Sequence, residues 1–128
     1  MIVADASWVV ALRDPNDDHH LPAAAINRGI DDEDVWLHPV TLAECLVAPA
    51  RLGVLQDAVL RLRAAFEVPD IERDAPVRWA ALRAETGLRL PDAVVLDTAL
   101  THGARAIVTF DAKLAAAASE HSLGVVSS

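Results

Sequence analysis

Short apolar runs that stop at an acid or a proline and then give way to a helix do most to restrict how this chain can fold. Met1 to Ala4 is apolar and ends at Asp5, and Ala6 to Arg13 then reads as a helix closed by Asp14-Pro15-Asn16-Asp17-Asp18, a dense turn signal. The same order returns near the other end, with Arg105 to Thr109 as a strand and Asp111 to Glu120 as a helix. Apolar runs this short, bounded by turn residues, suit strands buried on both faces. Strands of that kind alternating with helices point to βα units and a parallel sheet flanked by helices, with right-handed crossovers.

The rest of the chain continues the alternation. Leu21 to Ile30 reads as an Ala-rich helix, followed by the acidic turn Asp31-Asp32-Glu33-Asp34 and a short strand, Val35 to His38. Thr41 to Leu52 is an expected helix closed by Gly53, and Leu55, Ala58, Val59, Leu62, Ala65 and Phe66 form the apolar stripe of the next one. After a short extended piece at Phe66 to Val68, Asp74-Ala75-Pro76 opens a helix that runs to Gly87. Asp92 to His102 reads as a helix and Leu123 to Val126 as a last strand.

Parallel strands all end at one edge of the sheet, so acids at those ends converge however far apart they lie along the chain. Asp5, Glu44, Asp92 and Asp111 each stand at or just inside the start of an expected helix. Converged carboxylates repel unless a cation sits between them, which points to a divalent metal site and metal-assisted chemistry on a phosphate. Each acid also has a local alternative. Asp5, Asp92 and Asp111 occupy positions where a carboxylate caps free backbone N–H groups, and Thr41-Leu42-Ala43-Glu44 has the form of a capping box. Caps, however, do not need the hydroxyls found here: Ser7 follows Asp5 by two residues and Thr109 precedes Asp111 by two, each able to orient a carboxylate. An all-oxygen donor set favours Mg²⁺ or Mn²⁺ over zinc, and His19, His20, His38, His102 and His121 lack zinc-ligand spacing.

A net charge of −8 argues at first against a polyanionic substrate. Setting the four candidate acids aside halves it to −4, and bound cations reverse the local field further. The single cysteine, Cys45, excludes an intramolecular disulfide and reads as a small core hydrophobe. The longest uncharged stretches, such as Val35 to Ala43, fall short of the ~18 residues of a membrane span, and the start lacks signal-peptide character, so the expected location is cytoplasmic. No G-x-S-x-G elbow and no Gly-rich phosphate loop is present. A receiver-like phosphoacceptor or interaction module remains the alternative from another class, although it needs adjacent acids after the first strand, where Asp5 is followed by Ala6.

Four separated segments, Ile2-Val3-Ala4-Asp5-Ala6-Ser7, Val40-Thr41-Leu42-Ala43-Glu44, Leu90-Pro91-Asp92-Ala93 and Ile107-Val108-Thr109-Phe110-Asp111, resemble the PIN-domain ribonucleases, and among them the VapC-type toxins of bacterial toxin–antitoxin pairs. The resemblance spans essentially the whole chain. It implies a three-layer α/β/α single domain over residues 1–128 with a central, mostly parallel sheet of four to five strands. It also implies a Mg²⁺- or Mn²⁺-dependent endoribonuclease in which Asp5 and Asp92 are the principal metal ligands, Glu44 and Asp111 complete the acidic set, and Ser7 and Thr109 support it. The implied partners are an RNA substrate, a cognate VapB-type antitoxin and a second copy of the chain. Asp97 departs from the usual small apolar residue; at ~100° per residue it lies about 140° around the helix from Asp92, off a shared ligand line. Lys113 stands near the last motif, where it could reach a phosphate or simply face solvent.

Overall fold

A computed structural model describes residues 1–127. Its elements, in chain order, are β1 (Ile2–Ala4), α1 (Ala6–Arg13), α2 (His20–Gly29), β2 (Val35–Trp36), α3 (Pro39–Arg51), α4 (Leu55–Ala65), α5 (Ala75–Thr86), α6 (Leu90–Thr101), β3 (Ala106–Val108), α7 (Ala112–Glu120) and β4 (Gly124–Val126). The strands form one parallel sheet in the order β2-β1-β3-β4, with Val3 opposite Trp36 on one side and Ile107 on the other.

Because β1 and β3 are central, all six of their residues are buried, which is why they are apolar without alternation. Successive side chains still point to opposite faces. Ile2, Ala4 and Val108 pack with Trp8 and Val9 of α1, Ile26 of α2, Leu42 of α3 and Leu62 of α4. Val3 and Ile107 pack on the other face with Ala93 and Leu96 of α6 and Leu114 and Ala118 of α7. The result is the α/β/α sandwich. Every residue from Asp92 to Ala99 of α6 is buried, so that helix carries no polar stripe.

The piece at Phe66 to Val68 meets β2 through one parallel bridge, Trp36 to Glu67, with Leu37 N–H donating to Glu67 O at 2.8 Å. Pro69 follows at once and has no N–H to extend a ladder, so this contact does not grow into a fifth strand. Gly124 allows β4 to close against β3, since a Cβ there would lie 2.9 Å from the Arg105 carbonyl oxygen.

Candidate active site

β1 leads to β2 on one side of the sheet, whereas the chain re-enters at β3 on the other. The crevice beyond the carboxyl ends of β1 and β3 is therefore the topological switch point of the fold, the place where open α/β sheets bind ligands. Asp5 follows β1 and Thr109 follows β3, and Asp5 N–H extends the ladder by donating to Val108 O at 2.9 Å.

Asp5 holds the N-cap position of α1, but its carboxylate makes no capping bond. It accepts instead from Ser7 Oγ and from Thr109 Oγ1, both at Oδ2 and both at 2.7 Å. Each hydroxyl is fixed from its other side: Ser7 Oγ accepts Phe110 N–H and Thr109 Oγ1 accepts Asp111 N–H, both at 2.9 Å. The two hydroxyls singled out in the sequence thus join the loop after β3 to the acid after β1. Asp111, by contrast, caps α7, with Oδ1 accepting Leu114 N–H at 3.0 Å.

The starts of α3 and α6 differ from the sequence reading. Helix α3 begins at Pro39, with His38 as its N-cap and the His38 Nδ1 accepting Val40 N–H at 3.1 Å. Burial pushes His38 below its ordinary pKa, which suits a neutral ring in that accepting role. Thr41 is therefore inside the first turn rather than at the cap, and its buried Oγ1 is the one such atom without a partner among the described residues. The Thr41–Glu44 capping box does not form, so Glu44 has no capping duty. Asp92 likewise falls within the first turn of α6, which starts at Leu90, and makes no capping bond.

Asp92 is buried, and the bond it receives is a long one from Arg89 Nε, at 3.4 Å. Burial raises its pKa most, Asp5 and Asp111 raise it further, and Arg89 opposes them. Glu44 is raised by partial burial and then by Asp5 and Asp92, again against Arg89. The fields of the four acids therefore reach one another across four elements. Among the described residues no three His, Cys, Asp or Glu side chains stand close enough to hold one ion as they are. Arg89, unremarked in the sequence, is the cation nearest this group; its signal was its place three residues before Asp92.

Asp97 is not brought to the four acids. It accepts from Arg78 Nε at 2.8 Å, Trp79 Nε1 at 3.1 Å and Thr101 Oγ1 at 3.0 Å, which ties α6 to α5. Lys113 donates to the Gly87 carbonyl at 2.9 Å, at the left-handed C-cap of α5, so its ammonium is engaged away from a phosphate. Cys45 is buried with its thiol pushed up to about 12, chiefly by burial, which leaves it inert. Ser7, Glu44 and Asp111 line a cleft of about 500 Å³ together with Asp17, His19 and Phe110.

A sequence model of the PIN domain matches residues 2–120. The chain belongs to the PIN domain family. Comparison with curated proteins yields no match. Among solved structures, this PIN domain is similar to a toxin–antitoxin complex from Klebsiella pneumoniae, with TM-score 0.72 and 23% identity over 91% of each chain. It is similar to Mycobacterium tuberculosis VapC20, a toxin described as cleaving the sarcin–ricin loop, with TM-score 0.74 and 21% identity over 91% of this chain and 95% of that one. It is also similar to VapBC2 from Rickettsia felis, bound there to a DNA fragment from its promoter, with TM-score 0.70 and 15% identity over 98% and 97%. At these identities the likeness is one of fold. Among the described residues no helix is long and apolar enough to cross a membrane.

Proposed function

We propose that this PIN domain is the toxin of a toxin–antitoxin pair, an endoribonuclease that hydrolyses RNA phosphodiester bonds with Mg²⁺ or Mn²⁺ held by Asp5, Asp92, Glu44 and Asp111. The observation that carries the reading is the arrangement at the switch point: Asp5, after β1, is bonded to Thr109, after β3, and to Ser7, which lines one cleft with Glu44 and Asp111. The donor set fits the ion, being all oxygen with a surplus of uncompensated negative charge. When bound, the ion supplies Lewis acidity, activating water for attack on phosphorus and neutralising the leaving oxygen.

The protein's own contribution is orientation. Ser7 and Thr109 hold Asp5 Oδ2, so the carboxylate is already aligned when the ion arrives. Arg89, with its side chain 74% exposed, offsets part of the acids' charge and presents a guanidinium suited to an RNA phosphate. A VapB-type antitoxin that covers the cleft would silence the enzyme, and the toxin–antitoxin neighbours support that partner; the toxin reading carries with it a homodimer in the cytoplasm.

The test is incubation of the purified chain with total RNA in Mg²⁺, in Mn²⁺ and in chelator, followed by mapping of cut ends. Cleavage that needs the ion and is lost in Asp5→Asn and Asp92→Asn supports the reading. Cleavage retained in both variants overturns it.

A further inference from the structure

The cleft that holds Glu44 and Asp111 has a second wall for which the hydrolytic chemistry has no use. There the imidazole of His19 lies on the phenyl ring of Phe110, with centroids 4.9 Å apart and planes 27° from parallel. The other aromatic rings are engaged elsewhere: Trp8 and Trp79 are buried, Phe66 packs edge-on to Trp8, and Trp36 leans on His102.

The backbone that carries each ring is held in place. Phe110 N–H donates to Ser7 Oγ, and that same hydroxyl donates to Asp5 Oδ2. One oxygen atom therefore holds the Phe110 backbone and the Asp5 carboxylate together, and the phenyl ring packs against the core. His19 is set from the loop between α1 and α2: its N–H donates to Asp17 Oδ1 at 2.8 Å, and its carbonyl accepts Ala23 N–H at 2.9 Å. Its side chain is nevertheless 60% exposed. A stacked and solvent-facing ring beside carboxylates is suited to a nucleobase, since every base offers a π face and stacking does not require the base's edge to be read. Asp17 Oδ1 stands 3.7 Å from His19 Nδ1 on the same wall, so beside this ring a phosphate would meet a carboxylate, and the ring face is what the wall offers.

We propose that His19 and Phe110 form a stacking platform for the nucleobase beside the scissile phosphate. The proposal rests on the nuclease reading above and adds to it the contact that seats the base.

The probe is a single-stranded RNA carrying 2-aminopurine beside a mapped cut site, with the same sequence closed into a duplex as a control. Wild-type protein in chelator should quench the fluorescence of the single strand, and with the ion restored it should cut the single strand and leave the duplex whole. His19→Ala should lose the quench and raise KM about 5–10-fold with kcat within about twofold. His19→Phe, which keeps a ring, should retain both, while His19→Lys, which keeps a cation, should lose both. Because Phe110 also packs against the core, the His19 series decides and Phe110→Leu adds to it. If wild-type protein cleaves but His19→Ala matches it in quench and KM, the platform is overturned and the nuclease stands. Retention by His19→Lys with loss in His19→Phe overturns it as well, assigning the contact to charge. If wild-type protein neither cuts nor quenches, both readings fall.

Discussion

Asp97→Ala separates an acid that holds the fold together from one that takes part in chemistry. The Asp97 carboxylate is 6% exposed and accepts from Arg78, Trp79 and Thr101. Removing it leaves the buried Trp79 Nε1–H without an acceptor, at a cost of about 1–3 kcal/mol. Arg78 suffers less, because its side chain is 33% exposed and keeps Glu72 at 3.1 Å, so the loss of that ion pair adds at most about 1 kcal/mol. The sum is a destabilisation of about 1–4 kcal/mol, which for a chain of this length lowers Tm by roughly 4–16 °C. Asp97→Asn keeps one accepting oxygen and should cost about 1 kcal/mol. Thermal and urea unfolding measure the stabilities, and RNA cleavage assayed well below each variant's Tm measures the chemistry. Stability should fall in the order wild type, Asn, Ala, with cleavage by the folded fraction preserved. An Asp97→Ala protein as stable as wild type but inactive would refute it and place Asp97 among the site residues.

Two further outcomes follow from the site acids. Burial and mutual repulsion hold Asp92 and Glu44 above their ordinary pKa, so in the ion-free protein the stability they contribute is fully present below about pH 4 and is lost as pH rises through their raised values. Asp92→Asn should therefore raise Tm at pH 7 in chelator and flatten the pH dependence while abolishing the Tm rise that Mg²⁺ or Mn²⁺ gives the wild type; a lower Tm in chelator would contradict this. Thr109→Val keeps the shape of the side chain but removes the hydroxyl that orients Asp5 and accepts Asp111 N–H, so apparent metal affinity or cleavage should drop roughly 10–100-fold. Unchanged metal titration of that variant would show the hydroxyl to be dispensable.

The strands were legible because an acid, a proline or a glycine punctuates nearly every one, and their observed bounds lie inside the expected runs. The starts of α3 and α6 were not: Thr41 and Asp92 are the residue types that cap helices, yet Pro39 and Pro91, each within the first two helical residues, mark the true starts. That shift of two residues dissolves the capping box and leaves Glu44 available. Of the acids weighed, Asp111 does cap its helix, and its field still reaches Asp92, so the two roles coexist in one side chain. Helical geometry alone set Asp97 off the Asp92 line, but its partner Arg78 lies 19 residues earlier on another helix, beyond the range of local pattern. The His19–Phe110 stack depends on the path of the loop after α1 and could not be read from spacing.

The distribution of arginine bears on how an acidic protein would address the proposed RNA substrate. Of the three buried acids among the described residues, Asp97 lies away from the switch point and is paired with Arg78, which also serves Glu72, while at the surface Arg105 serves Glu33 and Arg61 serves Asp57. The hydrogen bond from Arg105 holds Glu33 below its usual range. At the switch point the pattern reverses. Asp5 is buried against hydroxyl dipoles with no guanidinium bound to it, and Asp92 receives a single long bond from an exposed arginine. Acids serving stability alone would be paired as Glu33 and Asp97 are. Acids left short of positive charge while arginine is used elsewhere favour a site that draws its cation from solution, and such a cation reverses the local field that net charge describes.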